Sequence, residues 1–583
     1  MLDPRIYRAG FLPILFALVL VGFSLREPPR PLATSLAPDA FDGAAAFAQL
    51  DALASAAPSR RPGTAGDRLV AGRVGATLRA NGFRVGVRTL NAQTADGSRT
   101  LETVVGERAG FSDRRILVVA HRDALGRGAR AELSATAALM ELARVLGGRT
   151  LQRTLVLAST SGGTAGLAAA EQLAQESGGP VDAVLVLGDL AGTRLRRPFV
   201  VPWSRSTAIA PLQLRRTVES AVTTETGLRP GGVTPPAQLA RLAFPLTLGE
   251  QGPFDANGFG AVLLSAGGER APAADAPVSQ ARLTAFGRAA LRSVTALDAG
   301  ADLPGSGPYL VLQRKLLPAS SVRLLAIALM LPVLLAAVDA FARARRRGER
   351  VGMWLRWVAA AVVPFLLAAL AALALRGFGL IAAAPGAPVA GAAAAPSAAA
   401  LVFVVFVAAA AWVWLRPRLA RAGRVEGDCA TGGAATAVVL ALCAVALVVW
   451  LANPYASLLL VPALHLWLLA MVSETRMRRP LALALWAAAL LPPLLVAYAY
   501  ARGFGLDPLE LAWMGTLLVA GGGLSLFAVL VWSVALACTA CALAIVLRAS
   551  SGAIEQATPI TVRGPKTYAG PGSLGGTESA LRR

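Results

Sequence analysis

Histidine is scarce in this chain of 583 residues: there are two, His121 and His465. His121 closes an apolar run and is followed closely by a carboxylate, in Ile116-Leu-Val-Val-Ala-His-Arg-Asp123. A lone histidine at a strand end is usually a hydrogen-bonded structural residue. Asp189 stands just past another apolar run, Val181 to Leu187, where a carboxylate can cap or brace a turn. Ser159-Thr-Ser161 offers hydroxyls, but no G-x-S-x-G elbow surrounds them to make a nucleophile. His465 lies inside the apolar stretch Leu459 to Leu469. An ionisable group at membrane depth is a functional candidate, although a neutral histidine can simply bond to a neighbouring helix. Cys538 and Cys541 form a C-x-x-C within an apolar run, where small residues pack helices. All four cysteines lie beyond residue 428, so no disulfide framework is expected in the earlier, charged segment.

The elements that must position His121 and Asp189 alternate strand and helix. Asp67 to Ala80 reads as an amphipathic helix. Arg115 to Ala120 reads as a buried strand, Ser134 to Leu146 as a helix and Thr154 to Ala158 as a strand. Ala165 to Gln175 reads as a helix, with Val181 to Leu187 and Gly260 to Leu264 as further strands. This rhythm predicts an α/β domain, a mainly parallel sheet with helices on both faces. Sites in such sheets form at the C-terminal ends of the strands, where His121 and Asp189 fall.

Composition then divides the chain. Hydrophobic residues make up 55% and charged residues 15%, with a mean hydropathy of +0.58. Residues 27–320 carry 32 Lys+Arg and 24 Asp+Glu, like a soluble domain. Arg5 and Arg8 precede the apolar run Gly10 to Leu25, a signal-like start read as an uncleaved anchor within residues 1–26. Seven further spans are expected near 324–342, 357–375, 398–415, 434–452, 455–472, 480–500 and 523–547, each near the roughly 20 residues a helix needs to cross. Leu509–Ala520 is too short to span and reads as interfacial or re-entrant. Ala382–Ser397 reads as a loop, and 549–583 as a disordered tail. A bundle of about eight spans thus occupies residues 1–26 and 321–548.

The net charge of +22 does not point to nucleic acid, because its excess lies between the spans. Alternate segments hold 20 Lys+Arg; the opposite loops of the membrane half hold Arg376 and Arg502. Positive charge stays on the cytoplasmic side. The expectation is a multi-pass cell-membrane protein with both termini cytoplasmic and residues 27–320 extracytoplasmic. Membrane lipid is the first expected partner, and anionic lipid would meet the arginine clusters.

The segments around His121 resemble the M28 family of zinc exopeptidases. Ile116 to Asp123 followed by Ser134 to Arg144 carries the resemblance, and more segments extend it in order. Arg61-Pro-Gly-Thr-Ala-Gly66 looks like the family's opening segment, Thr154 to Leu167 like its next strand and turn, and Gly188-Asp-Leu-Ala-Gly192 like its Asp-Met-x-Gly. Gln251-Gly-Pro-Phe254 through Val262 resembles its His-x-x-Phe and Gly-Ile-Pro-Ala region. The family holds two zinc ions and uses a glutamate as general base. Carried over, the resemblance makes His121 a ligand, Asp189 another and Asp123 an orienting carboxylate. The bridging aspartate falls on Ala131, unless a one-residue slip brings Glu132 there. The Glu-Glu pair falls on Gly163 and Thr164, which removes the base and a ligand, and no last histidine follows Gly268. Two ligands are too few for a catalytic zinc site. The resemblance therefore implies a degenerate domain in which His121 and Asp189 are vestigial and no cofactor is expected. It would bind a peptide, an amino group or a membrane-protein partner. The alternatives are an active membrane aminopeptidase with zinc, and a lipid or small-solute carrier with the domain as a lid. The layout, one anchor, an M28-like domain and seven spans, is similar to the peptidase-like subunit of the GPI transamidase and to membrane-bound M28 proteases.

Overall fold

Continuous apolar runs become strands that are buried on both faces. The computed structural model describes residues 4–549 apart from 34–37, 95–96, 165, 194–198, 232–233, 314, 382–395, 424, 426–428, 430–431 and 472–477. The expected loop at 382–397 and the tail at 549–583 fall almost wholly outside the described residues. One sheet has seven strands: β1 (Arg84–Thr94), β2 (Gly97–Arg108), β3 (Ser112–His121), β4 (Arg153–Thr160), β5 (Val181–Leu187), β6 (Phe199–Val201) and β7 (Ala261–Ser265). Their spatial order is β1-β2-β4-β3-β5-β7-β6. β4, β3, β5 and β7 run parallel, with Ile116 opposite Leu155 and Ala183.

The sheet is mixed, which corrects the expectation of a mainly parallel one. β1 and β2 pair antiparallel, β2 pairs antiparallel with β4, and β6 pairs antiparallel with β7. For the first of these pairs the reason is connection length. A parallel crossover needs a dozen or more residues, and only residues 95–96 separate β1 from β2.

Helices cover both faces. Ile116, Val118 and Ala120 of β3 pack with the helices Ala65–Ala80, Arg130–Gly147 and Gln280–Ala299. Leu117 and Val119 point the other way, into a cluster with Leu173 and Phe254 from the helices Ala168–Glu176 and Gln251–Ala256. That second cluster continues without a break into the membrane half.

Among the described residues, seven helices are long and apolar enough to cross a membrane: Arg5–Ser24, Ala319–Arg346, Val351–Gly377, Ala398–Ala422, Gly432–Ala452, Pro454–Met471 and Leu526–Arg548. The span expected near 480–500 is two helices, Arg479–Ala488 and Leu491–Phe504, bent by 43° at their junction. Pro492 and Pro493 stand in the first turn of the second helix, where the backbone N–H groups they lack have no helical partner anyway. Counted as one span, the pair brings the total to eight. Pro508–Ala520 is a shorter apolar helix closed at its start by a capping box between Asp507 and Glu510.

The α/β domain sits directly on this bundle. A hairpin of β8 (Tyr309–Leu312) and β9 (Lys315–Pro318) leads into the helix Ala319–Arg346, and Leu316 of β9 bridges to Arg26 after the first helix. Asn453 donates its side-chain amide to Leu242 O at 2.8 Å. Tyr500 donates to Phe244 O, and Phe244 stacks on Trp532 with ring centroids 4.9 Å apart.

Candidate functional site

His121, Asp123, Asp189 and the segment 163–164 meet because β3, β4 and β5 are parallel neighbours that end together. Two buried arginines hold the surrounding loops. Arg122 pairs with Asp67 at 2.8 Å and donates to Ser159 O at 2.8 Å and Glu102 O at 2.6 Å. Arg60 donates to Gly128 O at 3.0 Å and Ala129 O at 2.5 Å, fixing the approach to the helix that carries Glu132. Ser161 donates to Asp67 Oδ2 at 2.6 Å, so its hydroxyl serves the frame and not the cleft.

Asp123 turns toward the β4 end. Its Oδ1 accepts from Gly163 N–H at 3.0 Å, and its Oδ2 accepts from Thr164 N–H at 3.1 Å and from the Thr164 hydroxyl. It thus holds the turn on which the resemblance placed the lost glutamates. Gly163 itself lies against His121: a Cβ there would sit 2.5 Å from His121 Cβ and 2.7 Å from Cγ. The imidazole fills the space that a side chain at 163 would need.

The structure adds a partner that sequence reasoning missed. Glu250 Oε2 is 3.8 Å from His121 Nδ1, and its Oε1 accepts from the Thr160 hydroxyl at 2.5 Å. Glu250 immediately precedes the Gln251–Ala256 helix. The only signal for it was a carboxylate next to the recognised Gln251-Gly-Pro-Phe254, because no spacing rule links it to His121 across the fold. Burial works against a charge on His121. The hydrogen-bonding and charge of Glu250, with Asp123 and Glu132 adding to it, outweigh burial and raise the ring to about 9.

Ala131 is buried, and the next residue, Glu132, lines the same cavity as His121. Burial raises Glu132 to about 7, opposed by His121. Asp189 is raised by burial, although its Oδ1 accepts from Ala191 N–H at 3.0 Å and Gly192 N–H at 2.7 Å. Ser134 ties the two elements, accepting from Leu190 N–H at 2.8 Å. Glu269 completes the acidic wall, held by Arg241 at 2.8 Å and by the Thr247 hydroxyl at 2.6 Å. The cavity measures about 70 Å³ and is lined by His121, Glu132, Asp189, Glu250 and Glu269 among others. Three buried polar atoms there have no hydrogen-bond partner among the described residues: Nε2 of His121 and Oε2 of Glu132 and Glu250.

The residues do not fit a zinc pair. Among the described residues no group of three or more His, Cys, Asp or Glu is arranged to hold a metal ion. Thr164 and Gly163 face Asp123 with their N–H groups, which repel a cation. His465 is remote from the cleft. Its Nε2 lies 2.9 Å from Leu329 O and its Nδ1 2.6 Å from Tyr7 Oη. The carbonyl can only accept, so Nε2 carries the proton and Nδ1 accepts from Tyr7.

Residues 103–225 match the model of Peptidase family M28. Among curated proteins none matches the chain. A zinc aminopeptidase from Bacillus subtilis aligns in structure at 11% identity and a TM-score of 0.37, over 46% of this chain and 95% of its own. A glutaminyl cyclase from Porphyromonas gingivalis aligns at 18% identity and a TM-score of 0.35, over 44% of this chain and 98% of its own. An Acidobacteriales bacterium glutaminyl cyclase aligns at 17% identity and a TM-score of 0.37, over 46% and 99%. The chain thus carries an M28 peptidase-like domain, joined to a set of apolar helices long enough to cross a membrane.

Proposed function

We propose that this is an integral membrane protein whose M28-like domain, outside the cytoplasm, binds the amino terminus of a peptide or protein partner and does not hydrolyse it. Eight spans, both termini inside and residues 27–320 outside follow from the alternation of arginine clusters. The observation that carries the binding reading is that Oε2 of Glu132 and Oε2 of Glu250 are buried without a hydrogen bond in a small cavity that also holds Asp189 and Glu269, with His121 as the nearest cation to Glu250. A buried acceptor without a donor costs free energy on the order of 1–3 kcal/mol. An ammonium group brings three donors and a positive charge to such a wall. A cavity of about 70 Å³ has room for several water-sized groups, enough for an amino group and its first carbon atoms. Hydrolysis of the family's kind needs metal-bound water and a base within reach of it. Gly163 and Ala131 supply neither carboxylate, and the place of the first is filled by His121.

The test uses the full chain in detergent micelles with short peptides that differ only at the amino terminus. Free amino termini should bind and acetylated ones should not. Glu250→Gln should weaken binding tenfold or more, about 1.4 kcal/mol. Zinc should be substoichiometric by mass spectrometry, and aminoacyl substrates should remain intact. Stoichiometric zinc with chelator-sensitive hydrolysis would return the domain to the active aminopeptidases.

A further inference from the structure

Where the α/β domain meets the helices there is a second, larger space. It measures about 610 Å³ and lies between Phe244 and Leu246 of the domain and Tyr500, Met514, Gly515 and Trp532 of the helices. A neighbouring cavity of about 330 Å³ shares Gly515, Leu524 and Trp532 with it and reaches Val404 and Leu536. The two adjoin along the helix Pro508–Ala520 as one apolar path of grooves that open to the surface. Contiguous exposed apolar surface of this kind marks an interaction site. Water does not suit them, because a buried water needs two to four polar partners and these walls are mostly aliphatic and aromatic. Bilayer hydrocarbon suits them, and three of the helices around the path, Gly432–Ala452, Pro454–Met471 and Leu526–Arg548, are long and apolar enough to lie in it.

The polar end is equally specific. Arg205 lines the larger cavity, which has no acidic residue in its wall. Among the described residues the Arg205 guanidinium meets only Glu171, at 3.5 Å, and is partly exposed. It keeps donors free for an anion, and an arginine fork matches phosphate oxygens.

We infer that this junction is a binding site for an anionic phospholipid of the surrounding membrane, its acyl chain in the joined cavities and its phosphate at Arg205. The inference rests on the membrane reading of the helices and is independent of what the acidic cleft binds. It also links the two, because one segment walls both spaces. Phe244 to Leu246 face the lipid path, and Leu248 to Glu250 line the cleft. A lipid in place would brace the strand of chain that sets Glu250 against His121.

The experiment places the full-length protein in phosphatidylcholine vesicles containing a small fraction of phosphatidylglycerol with a diazirine at mid-chain. After illumination, adducts are mapped by peptide mass spectrometry. Adducts should fall on Leu246, Met514 and Trp532, and unlabelled phosphatidylglycerol should compete at least tenfold better than phosphatidylcholine. Gly515→Phe should cut these adducts about tenfold at an unchanged thermal midpoint, because a Cβ there meets nothing within 4 Å and Gly515 lines both cavities. Arg205→Gln should abolish the preference for phosphatidylglycerol while leaving the labelled positions the same. Adducts confined to outward-facing Leu494 and Leu526 in the unmodified protein would overturn the inference without the help of any variant. So would equal competition by the two lipids, or selectivity that survives Arg205→Gln. Release of the protein from cell membranes by alkaline carbonate would instead remove the membrane reading itself, a separate outcome from membrane-embedded protein that captures no lipid.

Discussion

At the scale of single residues, the cleft is governed by two groups whose folded environments favour their protonated forms. Glu132 is raised from its ordinary range near 4.5 to about 7, and His121 from 6.5 to about 9. A group raised on folding binds its proton more tightly in the native state. Its stabilisation is complete below the unfolded value and is lost as pH climbs through the folded one. The protein should therefore lose stability from about pH 4.5 to 7 through Glu132, and again from about 6.5 to 9 through His121. Each pKa unit is worth on the order of 1 kcal/mol. Thermal midpoints measured from pH 5 to 9 should fall, with Glu132→Gln flattening the lower window and His121→Gln the upper. A midpoint that rises toward pH 9 would contradict both assignments. Gly163→Glu tests the same cleft sterically. The new Cβ meets the His121 side chain, so the imidazole must move, at roughly 1–3 kcal/mol. Denaturation should show that loss, and zinc analysis should show no metal gained. A stable, zinc-binding Gly163→Glu protein would mean that the cleft keeps its old geometry in latent form.

At the scale of elements, two connections decide the architecture. One is the two-residue connection between β1 and β2, which sets that pair antiparallel, with Gly97 at a positive φ of 93° where β2 begins. The other is the contact between the first helix and the bundle. Tyr7, His465 and Leu329 O form one hydrogen-bonded chain across three helices, so both ring nitrogens of His465 have partners. Hydrogen bonds between membrane helices average about 0.6 kcal/mol and reach about 1.7. Tyr7→Phe and His465→Leu should each cost an amount in that range, and the double variant should cost less than the two together. Unfolding in mixed micelles measures it. A His465→Leu protein that folds normally yet no longer supports the protein's cellular role would reopen the carrier reading.

At the scale of the whole molecule, one apolar cluster runs from the sheet through Phe254 and Leu242 into Val449, Tyr500 and Met514. Arg241 lies over Tyr500 and Phe504, and Arg270 donates to Phe504 O at 3.1 Å. The domain is therefore docked, not tethered, and docking sets which side of the membrane it shares with the ends of these helices. We propose from the charge pattern that this side is outside. Thr150→Cys should react with an impermeant thiol reagent on intact cells and Ala420→Cys should not, against native cysteines that are all buried. Labelling at 420 and not at 150 would invert the topology.

Composition and periodicity alone determined the division into a charged α/β segment and apolar helices. They also placed the strands at whose ends His121 and Asp189 fall, because burial on two faces demands continuous apolar runs and hydrocarbon demands long ones. The span near 480–500 was legible as apolar, but its bend was not. Prolines in a helical run mark where a break can fall, and packing decides whether it does. The antiparallel edges were not separated from the parallel centre, since a strand's own residues do not state its partner. The largest thing hidden was Glu250. His121 meets it only because β3 and the segment before Gln251 converge at one end of the sheet. Whether Glu132 and Glu250 keep a free oxygen depends on which neighbours fold against them. The lipid-sized path was hidden for the same reason. A void belongs to no residue; it is what remains between helices whose every member looks, in sequence, like ordinary membrane filling.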